Sequence, residues 1–167
     1  MGASRLRDGG VSSPTTRVRR QRRSLPTATV RVKLIGPRRV PSEEPIRGPG
    51  DVWRLLGPPA RAWDREHFLT LILDGKSRVL GVDEVSVGSL TATLVHPREV
   101  LKAIILANGA SFISVHNHPS GDPTPSPEDL ALTKRIKSAA ELIGIPLLDH
   151  VILGSHRFHS MADAGDL

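Results

Sequence analysis

The run Ser114-Val115-His116-Asn117-His118-Pro119-Ser120-Gly121-Asp122-Pro123-Thr124-Pro125-Ser126-Pro127-Glu128-Asp129 constrains the fold of this chain more than any other stretch. It begins inside an apolar segment, Ser111–Val115, that reads as a short strand. In extended backbone, residues two apart point the same way, so His116 and His118 share a face. The loop Pro119–Pro125 holds three prolines and one glycine, and is polar and stiff. Ser126-Pro127-Glu128-Asp129 then starts a helix, with Ser at the N-cap, Pro at the first helical position and acids in the first turn. A strand end, a rigid loop and a helix start thus carry two imidazoles and a carboxylate towards one point. A divalent cation such as zinc suits that donor set, with a fourth position left to water. The segment therefore reads as a mononuclear zinc site built for hydrolysis, with His116, His118 and Asp129 as ligands.

Each part has a plainer explanation by itself. Ser126 and Asp129 make a good capping box, and two histidines can simply be buried. The combination in this order is hard to obtain from folding needs alone.

The rest of the chain reads as support for that segment. Its 167 residues suffice for one ordinary domain. With 38% hydrophobic but only 3% aromatic residues, Leu, Ile, Val and Ala must fill the core. Cysteine is absent, which excludes disulfides and thiolate-bound zinc. No run approaches the roughly 20 apolar residues of a membrane span. The first residues show no apolar signal core, so a cytoplasmic, non-membrane protein is expected.

Charge divides the chain. Residues 1–47 carry 12 Lys/Arg against 3 Asp/Glu, and the remainder 11 against 14. Residues 1–47, with the basic cluster Arg17–Arg23, read as a disordered arm. It could touch nucleic-acid phosphates non-specifically, or be only a solvated extension. Thr29–Ile35 alternates like an edge strand. Gly48-Pro49-Gly50 marks the boundary, so the folded domain is expected over 48–167.

Within that domain Asp51 caps a short helix, Val52 to about Leu56, ended by Gly57-Pro58-Pro59. Glu66–Leu73 reads as a buried strand, Asp74–Ser77 as a turn and Arg78–Val82 as its hairpin partner. A third strand is expected from Glu84 or Val85 to Leu94, with Leu90, Ala92 and Leu94 on one face. Pro97 opens a helix that Gly109 stops, with Val100, Ile104 and Ala107 inward. The helix after Ser126 should bury Leu132, Ile136, Ala139 and Ile143, and end at Gly144. Leu147–Leu153 is a last buried strand, followed by a short polar tail. The alternation predicts a mixed α/β or α+β domain around one sheet.

The spacing His116-x-His118-x7-Ser126-x2-Asp129 resembles the JAMM motif of the MPN (JAB) metallopeptidase fold. His96-Pro97-Arg98-Glu99-Val100, the His116–Ser126 segment and Leu148-Asp149-His150-Val151-Ile152-Leu153-Gly154 look still more like the RadC family, from about Asp51 onward. The resemblance implies an MPN-type mixed sheet flanked by helices, one zinc ion and hydrolysis of peptide or isopeptide bonds in a peptide or protein substrate. It implies His116, His118 and Asp129 as ligands and Ser126 as the hydroxyl that steadies an oxyanion. It also implies an upstream glutamate as general base. That is Glu66, which opens the strand after the first helix, with Glu84 as the competitor. His150 beside Asp149 is either a partner of a metal imidazole or locally bonded; His96 should be a cap, and His67 should alternate away from Glu66. RadC-like proteins usually carry an N-terminal helix-hairpin-helix region. Residues 1–50 show no such periodicity, and the basic arm stands in its place. The rival function is a repair-associated or nucleic-acid-binding accessory protein whose metal site is structural or lapsed.

Overall fold

The computed structural model describes residues 44–88 and 95–167. Residues 1–43 of the expected basic arm, with the strand Thr29–Ile35, and the Leu90-Ala92-Leu94 face lie outside those residues. What is described is a mixed α+β domain: α1 (Pro49–Ala60), β1 (His67–Leu73), β2 (Val79–Val87), α2 (Pro97–Leu106), β3 (Ser111–Asn117), α3 (Pro127–Ile143), β4 (Leu147–Leu153), β5 (Phe158–Ser160) and α4 (Met161–Ala164). Five strands form one sheet in the order β2-β1-β3-β4-β5. Only β3 and β4 run parallel.

Strand alternation divides the apolar residues between two faces. Leu69, Leu71 and Leu73 of β1, with Ile113 and Val115 of β3, pack beneath Val52, Leu56 and Ala60 of α1. Phe68, Ile72 and Phe112 face the other way, against Val100 and Ile104 of α2 and Ile136 and Ala140 of α3. The central strands β1 and β3 are therefore covered on both sides, which is why they read as near-continuous apolar runs.

Four expectations need correction. Gly57-Pro58-Pro59 does not break the first helix, which runs on to Ala60. Both prolines sit in its last turn, where each removes an N–H donor, and Leu56 and Ala60 still pack inward there and hold the turn to the sheet. Its N-cap is Gly48; Asp51, at the third helical position, reaches back to accept Arg47 N–H at 2.7 Å. β2 is one nine-residue strand rather than two, because Asp83-Glu84 stays in the ladder and the register absorbs a shift between Phe68 and Leu69. The tail is more than a short polar extension: β5 pairs with β4, and Met161 is fully buried. Before α1, Pro45 bridges Arg78 and Ile46 N–H donates to Ser77 O at 2.8 Å.

The turn after β1 closes as its composition requires. Asp74 accepts from Lys76 N, Arg78 N and Arg78 Nε. These bonds, led by that from the Arg78 backbone, hold its carboxyl down at about 2. Among the described residues no helix is long and apolar enough to cross a membrane.

Candidate metal centre

β3, α3 and β4 form a strand-helix-strand unit with parallel strands, so the C-terminal end of β3 and the N-terminal end of α3 lie at the same end of the sheet. His116 lies in the last turn of the β3 ladder, His118 just beyond it, and Asp129 in the first turn of α3. His116 Nε2 and His118 Nε2 are 3.0 Å apart. His116 Nε2 is 3.2 Å from Asp129 Oδ1, and His118 Nε2 is 3.4 Å from Asp129 Oδ2. Zinc bonds of 2.0–2.1 Å in tetrahedral geometry put donor atoms about 3.4 Å apart. The three side chains thus present their donors at the spacing one small cation needs, and they form a cluster able to hold a metal ion.

The neighbours of these residues hold the geometry. Ser126 Oγ donates to Asp129 Oδ2 at 2.6 Å, Ser126 N–H donates to the same oxygen at 2.8 Å, and Asp129 N–H donates back to Ser126 Oγ. The capping box and the candidate metal ligand are thus the same aspartate. Burial pushes the Asp129 carboxyl up, but hydrogen bonds from His116 and His118 outweigh it and hold the group well below the usual carboxylate range. The His118 imidazole is raised, chiefly by its bond to Asp129 and further by the Asp122 carbonyl and the charge of Glu66. His118 N–H donates to Leu153 O at 2.9 Å, and Nδ1 lies 2.7 Å from Asp122 O.

Behind these three side chains lies a polar network the sequence did not disclose in full. His116 Nδ1 is 2.8 Å from His150 Nε2, and His150 Nδ1 is 2.5 Å from Thr133 Oγ1. Burial, reinforced by the nearby His116, pushes the His150 imidazole well below its ordinary value. Asp149 turns elsewhere, accepting from Ser160 Oγ and Ala162 N and so fastening β4 to α4. The expected inward stripe of α3 is rotated. Ile143 is 49% exposed and Thr133 is 1% exposed, because Thr133 finds polar partners under the helix. One signal for it was available: it stands four residues after Asp129, hence on the same helix face.

The two upstream glutamates are separated by strand alternation. Glu66 precedes β1 by one residue, and continued alternation puts it on the face of Phe68, which pairs with His116 and stacks on it at 6.1 Å between centroids. Extending the register by two residues sets Glu66 opposite His118, on which its charge acts. Glu84 Oε1 lies 2.6 Å from His67 Nδ1, on the other face of the sheet, and His67 stacks on Trp63. Asn117, between the two histidines, was overlooked. Its carboxamide accepts from His67 N–H at 2.8 Å and donates to Arg65 O at 2.9 Å, gripping the backbone on either side of Glu66. His96 caps α2, accepting from Arg98 N–H. His159 bonds Asp166, and His156 is exposed.

A family model described as the RadC-like JAB domain matches residues 46–166. A UPF0758 protein of Desulforamulus reducens is 52% identical over 120 residues, covering 72% of this chain and 53% of that protein. A UPF0758 protein of Methanosarcina mazei is 48% identical over 126 residues, covering 74% and 55%. One from Moorella thermoacetica is 52% identical over 118 residues, covering 71% and 52%. The chain therefore spans about half the length of the curated relatives it matches.

Proposed function

The chain belongs to the RadC-like JAB domain family, and from that premise we propose that it is a zinc-dependent hydrolase of peptide or isopeptide bonds. The observation that carries the proposal is the convergence of His116 Nε2, His118 Nε2 and the Asp129 carboxylate within 4.8 Å of one another. Zinc bound there would lower the pKa of a coordinated water towards roughly 7 and polarise a carbonyl. The remaining work falls to side chains. Glu66, immediately before β1 and on the histidine face by continued alternation, takes the proton of the attacking water and returns it to the leaving amine. Ser126 exchanges its bond to Asp129 for one to the oxyanion that develops as the carbonyl is attacked. Phe68, packed flat against His116, keeps the inner side of the site dry and sustains these interactions.

The test joins zinc content, by elemental mass spectrometry, to cleavage of peptide and isopeptide libraries. His116→Ala should lose zinc and activity together. Glu66→Gln should retain zinc and lose at least about 100-fold in rate, as expected when a general base is removed. If Glu66→Gln cleaves as fast as the native chain, the assignment of the base is wrong. The substrate is a peptide or protein, and the Arg-rich arm is proposed to touch nucleic acid through phosphates alone.

A further inference from the structure

An imidazole that binds a cation through Nε2 must carry its proton on Nδ1, and whatever faces Nδ1 decides whether it does. For His118 the partner is the Asp122 carbonyl, which can only accept, so Nδ1–H is fixed. For His116 the partner is a second imidazole, His150, which could accept or donate.

The direction is set two bonds further on. Thr133 Oγ1 lies 2.7 Å from the backbone carbonyl of Asp129. A carbonyl only accepts, so the single hydroxyl proton points there. The hydroxyl oxygen is then left to accept from His150 Nδ1. With its proton on Nδ1, His150 presents a bare Nε2 to His116 and receives the proton on His116 Nδ1. His116 Nε2 is left bare, facing His118 and Asp129. Reversing any one bond reverses the chain and places a proton on His116 Nε2, where it would block a cation. His116, His150 and Thr133 are each at most 1% exposed, so bulk water cannot supply a substitute proton.

We infer that Thr133 and His150 are positioning residues that hold His116 in its metal-binding tautomer, using the main-chain carbonyl of Asp129 as the reference. The ligands from β3 and α3 are thereby joined twice: through the site, and behind it through His150 and Thr133. This inference rests on the metal-site reading above and deepens it.

The experiment measures Zn2+ affinity of the full chain by chelator competition, alongside 15N NMR of the metal-free imidazoles. Thr133→Val keeps the shape of the side chain and removes the hydroxyl; Thr133→Ser restores it. We expect Thr133→Val and His150→Phe to weaken zinc binding by about 10- to 100-fold, and Thr133→Ser to stay within about threefold of the native chain. The native spectrum should show His116 protonated on Nδ1, and Thr133→Val should show a mixture of tautomers. A Thr133→Val chain with native zinc affinity and a native His116 spectrum overturns the inference. If the native chain binds no zinc, the metal-site reading fails instead, and the His116 tautomer in native and Thr133→Val chains still decides this one.

Discussion

At the scale of single residues, the site reduces to where a few protons sit. His118 is raised above its ordinary value by its bond to Asp129, so in the metal-free protein at pH below that raised value a proton competes for the position a cation must take. A cation binds only the neutral imidazole. Zinc affinity should therefore be flat at high pH and weaken about tenfold per unit once pH falls below the raised His118 value, beginning above about 6.5. Chelator competition between pH 6 and 8.5 checks this, and an affinity independent of pH would exclude His118 as a ligand. His116, His118 and Asp129 were legible in the sequence because short covalent spacings, a strand end and a helix start bring them together. Asn117 was not, Thr133 was signalled only by its spacing from Asp129, and the His116–His150 bond was one of two readings left open for His150. They depend on which strand lies beside β3 and on how α3 is rotated about its axis. Apolar periodicity favoured Leu132 and Ile143, and polar partners beneath the helix decided otherwise.

At the scale of elements, the loop between β3 and α3 is held by contact with the loop after β4. Gly121 O accepts from Ser155 N–H at 3.0 Å, and Gly154 N–H donates to Arg157 O at 2.9 Å. A Cβ on Gly154 would meet Gly121 O at 2.5 Å and Pro123 Cδ at 2.8 Å. Neither a backbone oxygen nor a proline ring can swing aside. Gly154→Ala should destabilise the fold by about 1–3 kcal/mol, the range for overpacked sites. It should also weaken zinc binding, because the displaced loop carries the Asp122 carbonyl that orients His118. Urea denaturation and zinc affinity measured together test this; native values for both would show that the two loops are not coupled. The elements themselves were largely legible: α3, β4, β1 and the start of α2 fall where caps, prolines and apolar runs put them. β5 was missed, since three residues of an edge strand carry no period of their own.

At the scale of the molecule, one sheet separates two apolar layers, and opposite charges are distributed unevenly along the chain. Residues 1–47 carry a surplus of bases, and residues 48–167 carry more acids than bases. Deleting residues 1–43 should abolish salt-sensitive binding to nucleic acid while leaving zinc affinity within about twofold, since His116, His118 and Asp129 are all retained. Equal nucleic-acid affinity before and after deletion would exclude the arm as a phosphate-binding element.

The asparagine between the two histidines has a consequence for how the protein assembles. Because side chains alternate, sliding β3 by one residue against β1 would send both imidazoles to the α1 side and turn the amide towards α3. Such a mispaired molecule would lose its clasp on Arg65 and His67 and its grip on a cation at once. A cell's zinc would then act as a proofreader, rewarding only the strand alignment in which the sheet is also correctly latched.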